Sequence, residues 1–403
     1  MKSADDEARR PSDDSGNESA VSRDGARGRP TWAEIDLDAL ASNFRAVKGR
    51  VGGGVRVMCV VKADAYGHGA VACARRLERE GADWFAVALP EEGIELREAG
   101  VRGPVLILGG FWEGQAAACV QNDLTPVIYR PDAAEAFDRA ALDAGRVAEV
   151  HVKIDTGTGR LGVRHDEAGE FAARLREFKN LRVGGLMTHF AAADEPERDE
   201  FTREQASRFR AAAEVFRAAG HEPAVEHLSN SAATFAHPAA RGTMVRPGGV
   251  LYGLWRDVLQ PKDRPAPLRP VMSLRTRVAL LKRVPAGETL GYGRTFELKR
   301  DSLIATLPVG YADGYPRSLS NRGRVIVRGH DAPVAGRVSM DLTLVDVTDV
   351  PGVRPDDEVT LLGEASGLTV TAEEIAKLCG TISYEITCGV SRRVPRKAVN
   401  RKP

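Results

Sequence analysis

Short apolar runs alternate with amphipathic stretches from about residue 31 to residue 265. The stretches AVACARRLEREG and FTREQASRFRAAAEVFRAAG place apolar residues at helical spacing. Continuous apolar strands that alternate with helices indicate a parallel sheet covered on both faces. The number of repeats favours a TIM-type (β/α)8 barrel over an open doubly wound sheet. The apolar runs are VRVMCVV (55–61), DWFAVAL (83–89), GPVLILG (103–109), LTPVIY (124–129), VAEVHVKI (147–154) and LRVGGLM (181–187).

The pattern changes within about ten residues of Arg264. Segments such as SLIATLPVGY, GRVIVRG and DLTLVDV are β-rich, and Gly, Pro and Asp stand between them at expected turns. They predict a second, mainly antiparallel β domain over residues 266–403. One helix interrupts it at about residues 371–379, where Thr371 is suited to cap the first turn.

Composition narrows the class of protein. The 403 residues are 43% hydrophobic and 28% charged, which is typical of a soluble globular protein with two domains. Residues 1–30 hold almost no large apolar side chain, and we predict a disordered tail there. The net charge of +1 is too small to attract nucleic acid or an anionic membrane, so neither is an expected partner. With no membrane span, no secretory signal, and five scattered cysteines without metal spacing, we expect a cytoplasmic protein without metal.

Polar or glycine-rich patches follow five of the predicted strands. In a barrel, all these strand ends meet at one face, which is where barrel enzymes carry out their chemistry. We therefore expect the patches to form one site. They begin at Lys62 (KADAYGHG), Lys153 (KIDTGTGR), Thr188 (THF), Asn230 (NS) and Arg246 (RPGG).

The residue types in these patches indicate an anion site beside a reactive lysine. Backbone N–H groups of Gly248 and Gly249 and the hydroxyls of Ser231 and Tyr66 are suited to bind a phosphate, and Arg246 and Arg160 add fixed positive charge. Lys62 follows an apolar strand, where burial lowers the pKa of an amine and makes it nucleophilic. A phosphate site beside such a lysine suggests covalently held pyridoxal phosphate.

Nine motifs resemble, in the same order, those of the alanine racemase family, over about residues 31–397. They are VVKADAYGHG, HVKIDTGTGRLG, THF, SNSAA, VRPGG, GYGRTF, VGYADGY, AGRVSMD and SYEITCGVSRRVPR. The resemblance implies a homodimer that depends on pyridoxal phosphate, with an N-terminal barrel and a C-terminal β domain.

The same resemblance implies a role for each matching residue. Lys62 would hold the cofactor and act as one catalytic base, and Tyr292 would be the opposing base. Arg246 would face the pyridine nitrogen and Arg160 the phenolic oxygen. The remaining implied roles are phosphate binding (Tyr66, Ser231, Gly248, Gly249, Tyr384), support of the ring and its arginine (His189, Asn230), a backbone N–H for the substrate carboxylate (Met340), the entrance (Tyr311, Asp341) and a lysine that is often carbamylated (Lys153).

Two bases fit a racemase, because the α-proton leaves one face of a planar intermediate and returns to the other. The family takes Lys62 and Tyr292 from different subunits, so the resemblance implies that activity requires a dimer. An arginine at the pyridine nitrogen cannot accept its proton, which leaves that nitrogen neutral and a weaker electron sink.

The leading interpretation is an alanine racemase that supplies D-alanine for peptidoglycan. A serine or broad-spectrum racemase is the first alternative, since Gly249 stands where the family more often has a larger apolar residue. A pyridoxal-phosphate decarboxylase or aldolase would need an acidic residue at the pyridine nitrogen, and Arg246 counts against both. A non-catalytic cofactor carrier would have no use for a β domain with Tyr292 and Met340.

Overall fold

The structure of the protein, a computed structural model, describes residues 28–264 and 268–400. Residues 1–27 of the predicted disordered tail lie outside the described residues. The described strands up to residue 264 are, in chain order, β1 (Thr31–Asp36), β2 (Arg56–Val60), β3 (Trp84–Val87), β4 (Val105–Ile107), β5 (Leu124–Ile128), β6 (Ala148–Asp155), β7 (Val163–Arg164), β8 (Leu181–Met187), β9 (Val225–His227) and β10 (Met244–Val245).

Helices separate these strands, as the sequence pattern predicts. Asp36 illustrates the local reason, because its carboxylate accepts the backbone N–H groups of Asp38 and Ala39 and so ends β1 and starts the first helix. The helices of this part are α1 (Leu37–Val51), α2 (Lys62–Gly67), α3 (Ala70–Arg79), α4 (Pro90–Glu98), α5 (Ala116–Gln121), α6 (Pro131–Asp143), α7 (Ala168–Leu175), α8 (Asp199–Ala218) and α9 (Ser231–Ala236).

Eight parallel strands form a barrel, which confirms the predicted fold class. Their order around the sheet is β10-β2-β3-β4-β5-β6-β8-β9, and the short β7 pairs with the end of β6. Two backbone hydrogen bonds close the ring between β9 and β10, from Thr243 to Glu226 and from Arg246 to Ser229, each 2.9 Å long. The carboxyl ends of all eight strands therefore lie at one face.

The rest of the described chain is mostly β-structure. Its main sheet has the order β17-β16-β19-β11-β1-β21 and is antiparallel except where β1 meets β21. The elements are β11 (Met272–Arg277), β12 (Leu280–Val284), β13 (Thr289–Leu290), β14 (Phe296–Glu297), β15 (Ser302–Leu307), β16 (Arg324–Val327), β17 (His330–Pro333), β18 (Thr343–Asp346), β19 (Glu358–Ala365), β20 (Leu368–Val370), α10 (Ala372–Cys379), α11 (Ser383–Gly389) and β21 (Arg396–Val399).

Two details bear on the predicted organisation. The helix expected at residues 371–379 is α10, and the hydroxyl of Thr371 accepts the N–H of Glu374 at 3.0 Å as its cap. Strand β1 stands before the barrel in the chain, yet it pairs with β11 and β21 of the C-terminal sheet. The division into residues 31–265 and 266–403 stays a prediction, and β1 ties the two parts together.

The interior of the barrel is filled mainly by apolar side chains, among them Met58, Trp84, Leu106 and Met187. Strand β6 is an exception. Successive side chains of a strand point to opposite faces of the sheet, and the residues of β6 that point into the barrel are polar. Among the described residues, no helix is both long and apolar enough to cross a membrane.

Candidate active site

A cavity of about 550 Å³ opens at the carboxyl ends of the barrel strands. It brings together the five patches predicted to form a site, and α11 contributes a tyrosine from the C-terminal part. The predicted site residues that line it are Lys62, Tyr66, Lys153, Arg160, His189, Asn230, Ser231, Arg246, Gly248, Gly249 and Tyr384.

Lys62 enters the cavity from a strained piece of backbone. The four residues Ala63–Tyr66 of α2 all have left-handed φ values between 53° and 55°, a conformation that costs roughly 1–2 kcal/mol per L-residue. Two side chains stabilise this turn: the carboxylate of Asp64 accepts the N–H of Ala70 at 2.7 Å, and the guanidinium of Arg396 donates to the carbonyl of Gly67 at 3.1 Å. Such strain is typical of functional sites whose surroundings over-determine them.

His68 completes that turn and does not line the cavity. Its Nδ1 lies 2.9 Å from the carbonyl oxygen of Ala65 and 3.0 Å from that of Tyr66, and its ring stacks on Tyr252 at 4.6 Å. Burial lowers the pKa of His68 to about 4, so the ring is neutral at neutral pH. His68 is therefore a structural residue of this loop.

Hydroxyl and backbone donors gather at one end of the cavity, as expected for a phosphate site. The N–H of Gly248 donates to the hydroxyl of Ser231 at 2.9 Å, and the rings of Tyr66 and Tyr384 meet edge to face at 5.4 Å. Burial raises the pKa of both tyrosines, which keeps their hydroxyls protonated as donors.

Two glycines make this cradle possible. A methyl group at position 248 would lie 2.3 Å from the hydroxyl of Tyr66, and one at position 249 would lie 2.3 Å from the hydroxyl of Tyr384. Tyr384 therefore occupies the space that a larger side chain at position 249 would need.

Arg246 lies buried at the floor of the cavity. Its guanidinium donates to the carbonyl oxygens of Thr188 at 2.6 Å and Leu228 at 3.1 Å, and also to that of His227. Burial lowers the pKa of Arg246 to about 9, so the group remains a cation at neutral pH. His189 lies 3.4 Å from the same guanidinium, and burial together with that charge depresses the pKa of His189.

The lysines of the cavity are destabilised as cations. Burial, and secondarily the charge of Arg160, lowers the pKa of Lys62. The same two causes, with a further contribution from Arg246, lower the pKa of Lys153 to about 8. Several cations in one enclosed space favour an anionic ligand and keep a fraction of the lysine amines neutral and nucleophilic.

Four of the five predicted site residues of the β domain, all except Tyr384, do not line the cavity of their own chain. Tyr292 is 73% exposed, Met340 52% and Tyr311 41%. Asp341 is bound by Arg393 at 2.7 Å, and backbone hydrogen bonds of 3.0 Å tie the loop at Tyr311 to residues 339 and 340. These side chains lie on an exposed surface of the β domain.

The cavity residues fit pyridoxal phosphate. This cofactor needs an amine of lowered pKa for the covalent link, which Lys62 offers. Its phosphate needs hydrogen-bond donors, which the Ser231–Gly248 cradle supplies, and its pyridine ring needs a charged partner, for which Arg246 is placed. A (β/α)8 barrel with such a lysine at a strand end, followed by a β domain, defines the class of pyridoxal-phosphate-dependent barrel enzymes.

Comparison with known proteins identifies the family. Residues 35–255 match the sequence model described as alanine racemase, N-terminal domain, and residues 271–398 match alanine racemase, C-terminal domain. The alanine racemase of Halothermothrix orenii is 46% identical over 375 residues, which cover 93% of this chain and 98% of that protein. That of Geobacter sulfurreducens is 48% identical over 375 residues, which cover 92% and 98%. The chain belongs to the alanine racemase family.

Solved structures agree with that assignment. The alanine racemase of Clostridium difficile 630 superimposes with a TM-score of 0.87 at 39% identity, covering 92% of this chain and 96% of that chain. That of the D-cycloserine producer Streptomyces lavendulae gives 0.87 at 37% identity, covering 94% and 99%. The family consists of isomerases that depend on pyridoxal phosphate, which confirms the predicted class of enzyme and its cofactor.

Sequence reasoning missed the polar residues below the cavity. His227 contacts Arg246, and His151 contacts His227. Glu149, two residues before His151 on β6, contacts His151 in turn. The available signal was in VAEVHVKI, where Glu149, His151 and Lys153 occupy alternate positions of an otherwise apolar strand.

Proposed function

We propose that the protein interconverts L- and D-alanine with pyridoxal phosphate, using Lys62 and Tyr292 as the two bases. Family membership supports the reaction. Two structural neighbours support the substrate: one is an alanine racemase of Clostridium difficile in complex with cycloserine, and the other, from Bacillus anthracis, has bound L-Ala-P. The observation that carries the proposal is a lysine of lowered pKa in a cationic cavity above a buried arginine.

The residues at the inner end of the cavity are proposed to hold the cofactor. Tyr66, Ser231, Tyr384 and the backbone N–H groups of Gly248 and Gly249 would bind the phosphate, and Lys62 would carry the covalent link. Arg160 would neutralise the phenolic oxygen, while His189 and Asn230 support the ring. When bound, pyridoxal phosphate withdraws electrons from Cα of the amino acid and so acidifies its α-proton.

Lys62 and Tyr292 are proposed to move that proton on opposite faces. The Nζ atom of Lys62 accepts it on one side, because burial lowers the pKa of this amine and so favours its neutral form. The hydroxyl of Tyr292 serves the other side. A tyrosine titrates near pH ~10 in water, so Tyr292 needs cationic neighbours in the assembled site, and Arg160 is the candidate.

Arg246 is proposed to face the pyridine nitrogen, which favours racemisation over the alternatives. Arginine has donors only and stays charged, so it leaves that nitrogen without a proton. A decarboxylase or aldolase would need a stronger electron sink. The Tyr384 ring that fills the space beside Gly249 also gives no support to a larger substrate.

The exposure of Tyr292 supports a homodimer with shared sites. A catalytic base that is 73% exposed on its own chain acts only if a second copy brings its cavity to it. Met340, Tyr311 and Asp341 lie on the same exposed part of the β domain. We propose that they complete the partner's site, with the Met340 N–H holding the substrate carboxylate and Tyr311 and Asp341 at the entrance.

Mixing two inactive variants tests the shared site. In a dimer of one K62A and one Y292F subunit, one site has lost both bases and the other has kept both. Random mixing should therefore restore about a quarter of the wild-type activity, since half the dimers are mixed and each has one intact site. If the mixture stays inactive while mixed dimers form, the bases do not come from different subunits.

The reaction itself is tested by incubating the holoenzyme with L-alanine in D2O. Formation of D-alanine with deuterium at Cα supports proton abstraction, and parallel reactions with serine separate the broad-spectrum alternative. A carrier would bind pyridoxal phosphate without any exchange at Cα. In the cell, the proposed place of the reaction is the cytoplasm, where it would supply D-alanine for peptidoglycan.

A further inference from the structure

A polar chain runs through the barrel below Arg246. Among the described residues, no carboxylate lies within salt-bridge distance of this buried guanidinium. Its guanidinium meets two imidazole rings, Nδ1 of His189 at 3.4 Å on the cavity side and Nδ1 of His227 at 3.2 Å. From His227 the chain continues: Nε2 of His227 lies 2.8 Å from Nδ1 of His151, and Nε2 of His151 lies 3.5 Å from Oε1 of Glu149. We propose that His227, His151 and Glu149 position Arg246 and supply its charge with a remote counter-charge.

The order of donors and acceptors in the chain follows by elimination. Arginine only donates, so Nδ1 of His227 must accept and its proton must lie on Nε2. That proton then points at Nδ1 of His151, which must accept in turn and carry its own proton on Nε2. The carboxylate of Glu149, 3.5 Å from that nitrogen, is the acceptor it faces. Both histidines are therefore neutral Nε2–H tautomers, and each carries its proton on the side away from the cavity.

The charges around the chain agree with this order. Burial lowers the pKa of His151, and burial together with the charge of Arg246 depresses the pKa of His227, so both rings stay neutral. The contact with Nε2 of His151 at 3.5 Å lowers the pKa of Glu149, which favours the ionised carboxylate. Glu149 also binds Arg182 and is 25% exposed at the amino-terminal end of the barrel.

The neighbouring strand leaves room for the chain. On β8, a methyl group at Gly185 would lie 2.6 Å from the ring of His151, and one at Gly184 would lie 2.2 Å from the carboxyl carbon of Glu149. The pairing of β6 with β8 shifts register next to His151, which places both glycines against these side chains. The aromatic ring of His151 cannot move aside as a flexible chain could, so Gly185 is the more constrained of the two.

The surroundings make an incomplete chain costly. The rings of His151 and Trp84 are 5.2 Å apart in an interior filled by Met58, Leu106 and Met187. An unpaired polar atom in such a place costs about 1–3 kcal/mol, so each ring needs its partner on both sides. The chain thus fixes the His227 ring, and the His227 ring fixes one edge of the guanidinium.

Histidine tautomers test the chain without any turnover. We would record ¹⁵N spectra of the histidine-labelled holoenzyme at neutral pH and assign the signals with H227Q and H151Q. The expected result is an unprotonated Nδ1 in both His227 and His151. A proton on Nδ1 of either ring, or an imidazolium at His227, would overturn the proposal.

The glutamate tests the remote charge, with a matched control on the neighbouring strand. Glu226 of β9 is 19% exposed and binds Arg217, much as Glu149 binds Arg182, but it is not part of the chain. E149Q should lower kcat about threefold to thirtyfold, as remote couplings of this kind do, with an unchanged KM for alanine because Glu149 is far from substrate. E226Q should keep the wild-type kcat.

Equal kcat values for E149Q and E226Q would overturn the counter-charge, whatever their thermal stabilities. The inference rests on the proposed role of Arg246, yet the two fail in different ways. If the enzyme does not racemise alanine, the proposed function is wrong, while the ¹⁵N spectra still decide whether the chain exists as described.

Discussion

The turn that carries Lys62 gives the sharpest prediction. Gly67 and Gly69 both have left-handed backbones, with φ values of 83° and 93°. They differ in their surroundings: a methyl group at position 67 would lie 2.1 Å from the carbonyl oxygen of Thr387 on α11, whereas nothing lies within 4 Å of one at position 69. The variants G67A and G69A therefore share the backbone strain and differ in one steric contact.

The magnitudes follow from these two terms. The left-handed conformation costs an alanine roughly 1–2 kcal/mol in either variant. G67A adds a collision with backbone, which cannot rotate away, and overpacking of this kind costs about 1–3 kcal/mol more. We expect the free energy of unfolding to fall by about 2–5 kcal/mol in G67A and by about 1–2 kcal/mol in G69A.

The collision should also be visible in cofactor binding. Relief of the contact moves α11 away from α2, and α11 carries Tyr384 three residues before Thr387. The Kd for pyridoxal phosphate should therefore rise in G67A, about tenfold for each ~1.4 kcal/mol of binding free energy that the displaced Tyr384 no longer contributes. In G69A the Kd should stay near the wild-type value. Urea titration of the apoprotein and fluorescence titration with the cofactor measure the two effects. If both variants lose the same stability and bind equally well, α11 does not pack on α2 as described.

Three further outcomes are expected. Y292F should lose about 10²–10⁴ of kcat/KM and retain bound cofactor, and its solvent deuterium should enter one enantiomer of alanine far faster than the other; equal exchange in both would refute a two-base mechanism. Y384F should raise the Kd for pyridoxal phosphate about tenfold or more, because hydrogen bonds to charged groups contribute about 1.5–3 kcal/mol; an unchanged Kd excludes Tyr384 from the phosphate site. Lys153 is buried and its pKa falls from 10.5 to about 8, so the folded state binds its proton less tightly than the unfolded state and stability rises with pH between these values. K153M should then stabilise the apoprotein by about 3 kcal/mol at pH 7, with the gain gone above pH ~10.5; a gain independent of pH in urea titrations would contradict this.

The sequence predicted those parts of the fold that local patterns determine. Apolar runs alternating with helices identified the barrel, and Thr371 marked the start of α10. The pairing of β1 with β11 could not be read in this way, since Trp32 meets Arg275 across more than two hundred residues of chain and nothing in TWAEID distinguishes a barrel strand from a strand of another sheet.

The turn at Ala63–Tyr66 was missed for the opposite reason. Its residues have no local preference for a left-handed backbone, and contacts from Asp64, His68 and Arg396 impose it. The contact of Arg396 with the carbonyl oxygen of Gly67 joins residues more than three hundred positions apart, and no local pattern in the sequence indicates it.

The β domain contributes to the cavity of its own chain through one element and exposes predicted catalytic side chains on others. We therefore expect cofactor binding and turnover to depend on different parts of this domain. Through α11 it gives Tyr384 to the cavity of its own chain, where Tyr66 and Gly248 already lie. Through the loops at Tyr292 and Met340 it exposes side chains that its own cavity does not use. If the proposed homodimer forms, a subunit without its partner should therefore still bind pyridoxal phosphate but not racemise alanine. On dilution, turnover per subunit should fall with the dimer population while the absorbance of the bound cofactor persists; loss of both together would mean that the phosphate site also needs the second subunit.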